Sequence, residues 1–379
     1  MELCLSAWHG GMELYMARTA RELARRGHTV IPVLHPDATV LREIVSGAGL
    51  IPRDWRPAAV PELPLLSARR LARLLDAEGA EALHVHYRRD LPLAALARRW
   101  SRRCPRLVYT SQMKISHSKN DPYHNFLYRQ LHALLTITAQ LREQTRARLH
   151  PTLRSRVRLL YYGTEPPPLL SGAERAALRE RYGLREGVFT IGLFGQKFEG
   201  KGQLLLVEAL ARLRAAGIAC QALLVGAEVP DFMPRLRERI AALGLQDFVR
   251  LEDFVPQPQA LMQVCDVSVL ATYQETFGLV LIEAMSVGVA VIGSNAGGVP
   301  EIIADGESGL LFETRNAESL AAALRRLHDD PGLRARLAAV GRRVAAERFS
   351  LARHHDELEA ILRGEWPAEA VPDAARPTP

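Results

Sequence analysis

Long apolar runs are missing from this 379-residue chain. None approaches the ~18 residues a membrane-spanning helix needs, so no bilayer crossing is expected. Cysteine is scarce: Cys4, Cys104, Cys220 and Cys265 stand far apart, without the paired spacing of a zinc site or a disulfide framework. That points to a reducing compartment. Residues 1–8 lack the basic start of a secretory leader. Lysine is rare: only Lys114, Lys119, Lys197 and Lys201 occur, and the other 45 of the 49 basic residues are arginine. There is no Asp-x-Asp pair of the kind that holds a metal-bound nucleotide. A Gly-x-Ser-x-Gly elbow, a Walker loop and a Gly-x-Gly-x-x-Gly fingerprint are also absent. Serine hydrolysis, P-loop chemistry and nicotinamide chemistry therefore lack their signatures.

What is present is ordinary globular composition, 48% apolar and 24% charged, at a length that suits two domains. Charge divides unevenly. Residues 1–163 hold 26 of the 49 basic and 13 of the 42 acidic residues, a balance of +13, which leaves −6 for the remainder. A basic first half fits an anionic partner such as a membrane surface or an acidic glycan, or simply a solvated arginine-rich face. Zinc-finger spacing and RNA-binding aromatic motifs are missing, so nucleic acid is not expected as a partner.

Apolar segments alternate with helical patterning along both halves. Strands are expected at 3–7, 30–34, 83–87, 107–110 and 157–162, then at 189–194, 222–225, 248–251, 267–270, 290–293 and 310–312. Helices fall between them. This alternation implies parallel sheets covered by helices, an α/β chain of two doubly wound Rossmann-like domains. Pro166-Pro167-Pro168 marks the linker. The expected divisions are 1–163, 164–348, a final helix within 349–365, and a Pro- and Ala-rich tail, 366–379.

Three loops carry candidate chemistry. The first is Glu275-Thr-Phe-Gly-Leu-Val-Leu-Ile-Glu283, with one carboxylate in a loop and the second inside the following helix. Glu275 falls at the carboxyl end of a parallel strand, where α/β sheets place ligands. Phe277, Gly278 and Leu279 offer backbone N–H groups at a helix start, suited to a phosphate; an acidic turn complementing the helix dipole is the plainer reading. The second loop is Gly195-Gln196-Lys197-Phe-Glu-Gly-Lys201-Gly202, where glycines permit close approach and Lys201 can neutralise a diphosphate. The third runs from Gln112 to His124 with Lys114, His117, Lys119 and Asp121 between them, polar beyond the needs of a connector. Gly10-Gly11 follows the first strand, either as a tight turn or to leave room for a ligand. His9 and Glu13 flank it and are candidates to face an acceptor.

The segment from Cys265 through Glu275–Glu283 and Ala284-Met285, with Gly297-Gly298-Val-Pro-Glu301 and Asp305-Gly306, closely resembles the family 4 retaining glycosyltransferases of GT-B fold. Gly10-Gly11 and Gly195–Gly202 extend the resemblance over nearly the whole chain. It implies two Rossmann-like domains facing across a cleft, an N-terminal acceptor-binding domain and a C-terminal nucleotide-sugar-binding domain. The final helix would cross back to the first domain. It implies that Glu275 contacts the donor sugar, that Glu283 binds the nucleotide ribose, and that the amides of Phe277, Gly278, Leu279 and Val280 hold the diphosphate. Lys201 matches the family's lysine in the glycine loop. The family's arginine is Gln196 here, with Lys197 one place on. The family's histidine would fall near Gln112, so His117 is taken for that role, with His124 as the alternative; Lys114 and Lys119 would meet an anionic acceptor.

The resulting expectation is a retaining, metal-independent glycosyltransferase without a cofactor, using a UDP- or GDP-linked sugar. Its acceptor would be a glycan or lipid-linked glycan in cell-surface polysaccharide or lipopolysaccharide synthesis. The chain would be cytoplasmic, and the basic half suggests docking on the inner face of an anionic membrane. A sugar-nucleotide epimerase of the same fold, or a non-enzymatic nucleotide- or glycan-binding protein, would share much of the pattern.

Overall fold

The computed structural model describes residues 1–8, 10–56 and 64–365. They form two compact units, one of Met1–Tyr161 with the chain from Ala352 on, the other Tyr162–Leu351.

In the first unit, strands β1 (Glu2–Cys4), β2 (Pro32–Leu34), β3 (Arg53–Asp54), β4 (Ala82–Val85), β5 (Arg106–Ser111), β6 (Ala133–Thr136) and β7 (Val157–Leu159) make one parallel sheet in the order β3-β2-β1-β4-β5-β6-β7. Helices α1 (Gly11–Arg25), α2 (Thr39–Gly47), α3 (Leu65–Ala77), α4 (Leu91–Trp100), α5 (Pro122–Arg129) and α6 (Ala139–Arg148) connect them. The spacing of Met16, Ala17 and Ala20 puts one face of α1 on Leu34, Leu41 and Val45. The sheet's middle strands are buried on both faces and mostly apolar, with Glu2, His84 and Thr110 as buried polar exceptions.

The second unit contains α7 (Gly172–Arg181), β8 (Phe189–Phe194), α8 (Gln203–Ala215), β9 (Cys220–Val225), α9 (Met233–Ala242), β10 (Val249–Glu252) and α10 (Gln259–Met262). It continues through β11 (Val267–Leu270), α11 (Leu279–Ser286), β12 (Ala290–Ser294), α12 (Val299–Ile302), β13 (Leu310–Phe312), α13 (Ala317–Asp329) and α14 (Pro331–Arg348). Its parallel sheet has the order β10-β9-β8-β11-β12-β13. The last helix, α15 (Leu351–Arg363), sets Leu358 and Ile361 on Val108, Ala133, Leu135 and Leu160 of the first unit.

In each sheet the strand order reverses direction at one seam, β1 with β4 and β8 with β11. Connections leave such a seam toward opposite sides, which opens a crevice at the strands' carboxyl ends. Both candidate regions described below lie at these seams.

Several local expectations need correction. The strand expected at 3–7 ends at Cys4 because the Leu5 N–H donates to Asp90 Oδ2 at 2.7 Å instead of to a neighbouring strand. The strand expected at 30–34 begins at Pro32, and β3 lies where no strand was expected. Helices α2, α5 and α7 were not anticipated. Two of them carry legible start signals: Asp121 before Pro122, whose side chain accepts from His124 N, and the Ser171–Glu174 capping box. Among the described residues, no helix is long and apolar enough to cross a membrane. The tail, 366–379, and His9 lie outside the described residues.

Candidate active site

The carboxyl edge of the second unit's sheet is built from loops that interlock through glycines. Gly202 ends the loop after β8 with φ +77°, and a Cβ there would stand 2.1 Å from the Ala271 carbonyl oxygen. Gly297, φ +58°, lies so close under Glu275 that a Cβ would come within 1.8 Å of its carbonyl oxygen. Only glycine fits either place, on conformation and on space. Side chains complete the lattice. Thr272 Oγ1 donates to Gly200 O at 3.1 Å, Ser294 Oγ to Thr272 O at 2.7 Å, and the buried Gln203 amide to Gln196 O at 3.0 Å. Gly298 N–H donates to Glu275 O at 3.1 Å.

This lattice brings Lys201 and Glu275 together, Nζ to Oε2 at 2.8 Å, both partly accessible. Phe277 is buried edge-on between Tyr162 and Phe349, at ring distances of 5.3 and 5.9 Å, and anchors the Glu275 loop. Gly278, φ +108°, turns that loop into α11. Leu279 and Val280 open the helix half-exposed, and Glu283 is half-buried one turn later. An ammonium, a helix N-terminus and two carboxylates at one sheet seam can bind a diphosphate beside hydroxyl groups.

Lys197, also expected among donor ligands, is placed otherwise. It is fully buried, and its ammonium donates to Gly226 O and Glu252 O, each at 2.6 Å, with Glu228 at 3.5 Å. Its charge is consumed in tying the loop to the ends of β9 and β10. Gln196 is exposed.

In the first unit Gly10 precedes α1 in extended conformation, so the glycine pair is a helix entry. Glu13 is 4% exposed. One oxygen accepts from Ser6 Oγ at 2.5 Å and the other from Gly10 N–H at 3.1 Å, so it holds the loop after β1. In the polar loop after β5, Lys114 and His117 are exposed. His124 is engaged on both nitrogens, Nδ1 with Asp121 Oδ2 at 2.5 Å and Nε2 with Lys119 Nζ at 3.1 Å. The residue held at the strand's end is Gln112, half-buried, whose amide nitrogen is buried without a partner among the described residues.

Two features escaped the sequence reading. A buried network joins Glu2 to His84 Nδ1 at 3.0 Å and to His86 Nε2 at 2.5 Å, with His84 Nε2 on Thr110 at 2.7 Å. Burial alone would raise the Glu2 pKa, but the two histidines hold it well below the usual carboxylate range. Burial, then neighbouring His84, pushes His86 down to about 4. The alternation of His84 and His86 was the available signal, since period-two residues share a strand face. The second feature is Asp90, buried at the amino end of α4.

Two parallel sheets with Rossmann-like connections and a cation–carboxylate site at the second sheet's seam define the class: the GT-B glycosyltransferase architecture. Comparison with known proteins gives the family. Residues 9–166 match the model of Glycosyltransferase Family 4 and residues 174–344 that of glycosyl transferases group 1. The D-inositol 3-phosphate glycosyltransferase of Stackebrandtia nassauensis is 30% identical, over 92% of this chain and 85% of that protein. The alpha-D-kanosaminyltransferase of Streptomyces kanamyceticus is 30% identical over 61% of this chain, spanning 60% of that protein. The structure of Anabaena HepE in complex with UDP and glucose superposes with a TM-score of 0.78 at 22% identity, over 96% of this chain and 98% of that one. The chain belongs to glycosyltransferase family 4.

Proposed function

We propose that the chain transfers a sugar, with retention and without a metal ion, from a nucleotide sugar bound by the second unit to an acceptor bound by the first. The observation that carries this is the Lys201–Glu275 pair beside the amino end of α11. HepE, of the same fold, is described in complex with UDP and glucose, which supports a nucleotide-sugar donor.

In this reading Lys201 and the N–H groups around Phe277, Gly278, Leu279 and Val280 stabilise the negative charge that develops on the departing diphosphate. This is electrostatic catalysis by groups already in place. Glu275 orients the donor sugar and Glu283 the ribose. The leaving phosphate takes the acceptor's proton, so no separate base is needed. The acceptor is a glycan or lipid-linked glycan of cell-surface polysaccharide or lipopolysaccharide synthesis, and the basic first unit docks on an anionic membrane from the cytoplasmic side. Failure to co-sediment with anionic vesicles at low salt would remove the docking step. The Stackebrandtia relative's name favours a second reading of the acceptor, a small phosphorylated cyclitol.

The test is thermal stability with UDP, GDP, ADP and NAD, each with and without chelator, for wild type and Glu283→Ala. A ligand at 100 times its dissociation constant adds about 2.7 kcal/mol. Stabilisation by one nucleoside diphosphate, indifferent to chelator and weakened in the variant, supports the donor site. Stabilisation by NAD alone, or by nothing, rejects it.

A further inference from the structure

A crevice of about 180 Å³ opens at the seam of the first unit's sheet, between the chain leaving β1 and the chain leaving β4. Trp8, His35, Tyr87, Asp90 and Leu93 line it. Its volume is on the order of six liquid-water volumes, room for one six-membered ring with its substituents.

Asp90 is the unusual member. It is 4% exposed, and one carboxylate oxygen accepts from Leu5 N–H at 2.7 Å. The carboxylate makes no other hydrogen bond and no ion pair among the described residues. It sits at the N-cap position of α4 without capping it. Burying a carboxylate is costly unless it is fully satisfied, and a neutral Asn or Ser would serve Leu5 as well. The second oxygen is thus unaccounted for by the fold, and its residue lines the crevice. Burial pushes the carboxyl up to about 7, where it can accept a hydrogen bond when ionised and donate one when protonated. Trp8, lining the same crevice, is 80% exposed. An open indole face in water is unexplained by packing and suits the C–H face of a ring, with the apolar Leu93 lining the same crevice.

We infer that this crevice binds a single hydroxylated ring, a sugar or cyclitol, with Asp90 as the hydrogen-bond partner of a ring hydroxyl and Trp8 as its stacking face. Within the proposed function, on which only this naming rests, the ring is the reacting end of the acceptor, and Asp90 selects which hydroxyl pattern enters. A carboxylate–hydroxyl bond is specific because a ring lacking that hydroxyl leaves the crevice-facing oxygen without its partner.

The test is ligand-observed saturation-transfer NMR on the full chain. The probes are the methyl glycosides of glucose, galactose, mannose and N-acetylglucosamine, and myo-inositol. They are titrated against wild type, Asp90→Asn, Asp90→Ala and Trp8→Ala. Asp90→Asn keeps an acceptor for Leu5 and separates loss of the ring contact from loss of the loop. Wild type is expected to bind at least one probe with a preference among the five. That affinity falls about tenfold or more in Asp90→Ala and in Trp8→Ala, and the preference flattens in Asp90→Asn. Binding equal in all four proteins, or no probe bound by wild type, overturns the inference. UDP and GDP titrated into the same samples keep the two readings apart. Nucleotide binding with no Asp90-dependent ring binding rejects the crevice alone, whereas Asp90-dependent ring binding without nucleotide binding rejects the donor site alone.

Discussion

Lys201 and Glu275 lie 74 positions apart in the chain and meet at 2.8 Å, the ammonium from the loop after β8 and the carboxylate from the loop after β11. The two loops flank the seam of the sheet, so the pair exists only because β8 and β11 are neighbours. Both side chains are partly accessible, and an ion pair of this kind contributes about 0–1 kcal/mol to stability. In the proposed function its value lies in presenting a cation to the donor's diphosphate.

Lys201→Met should therefore leave the thermal midpoint nearly unchanged while nucleoside diphosphate affinity falls about tenfold or more, the scale of one charge-assisted hydrogen bond. Calorimetric titration with UDP and GDP reads this directly. Undiminished affinity would remove Lys201 from the donor site.

Lys197→Met should behave in the opposite way. It removes the donor of the buried Gly226 carbonyl and one of two donors to the Glu252 carbonyl, which keeps the Gly226 N–H, and an unsatisfied buried group costs about 1–3 kcal/mol. Urea unfolding should show a loss of a few kcal/mol. A variant as stable as wild type would show that the ammonium is dispensable there.

Gly297→Ala tests the clamp under Glu275. A Cβ within 1.8 Å of the Glu275 carbonyl must displace the loop, and the positive φ adds its own strain of about 1 kcal/mol or more. Lower stability together with lost nucleotide binding is expected. Wild-type affinity in a folded Gly297→Ala protein would show that the loop's position does not matter.

Gln112 and His117 compete for the role beside the reaction centre. Gln112 is fixed at the end of β5 with a buried, unpartnered amide nitrogen, whereas His117 is exposed. Gln112→Ala should reduce transfer at least tenfold and His117→Ala only slightly, measured as kcat/KM with one donor and acceptor. The reverse order would restore His117.

Acid should destabilise the first unit. Burial holds His86 near pH 4 and His354 near pH 3, each helped by an adjacent histidine. The unfolded chain binds those protons already near pH 6.5, so stability present above that pH is lost as pH falls toward 4. Asp90 works the other way: raised to about 7, it favours the folded state below its unfolded pKa and loses that contribution as pH rises toward 7. Urea midpoints of wild type should rise from pH 4 to 7, and more steeply in Asp90→Asn. An unchanged slope in that variant would refute the Asp90 assignment.

Much of this molecule was legible in its sequence. Apolar segments at helix-wide intervals specified two parallel α/β sheets, because strands buried on both faces are mostly apolar. The Glu275–Glu283 spacing and the Gly195–Gly202 loop marked the second seam, since both are local signals of strand end and helix start. What no local signal contained is which polar side chains face a ligand. Lys197 and Lys201 share one loop and one chemistry, yet one is sealed beneath the ends of β9 and β10 and the other faces Glu275. Glu13, expected to face an acceptor, is held by Ser6 and Gly10, while Asp90, which the sequence did not single out, lines a crevice. Tertiary structure decided these cases, because a side chain's partners come from strands distant in sequence, and burial fixes whether its charge is consumed or offered.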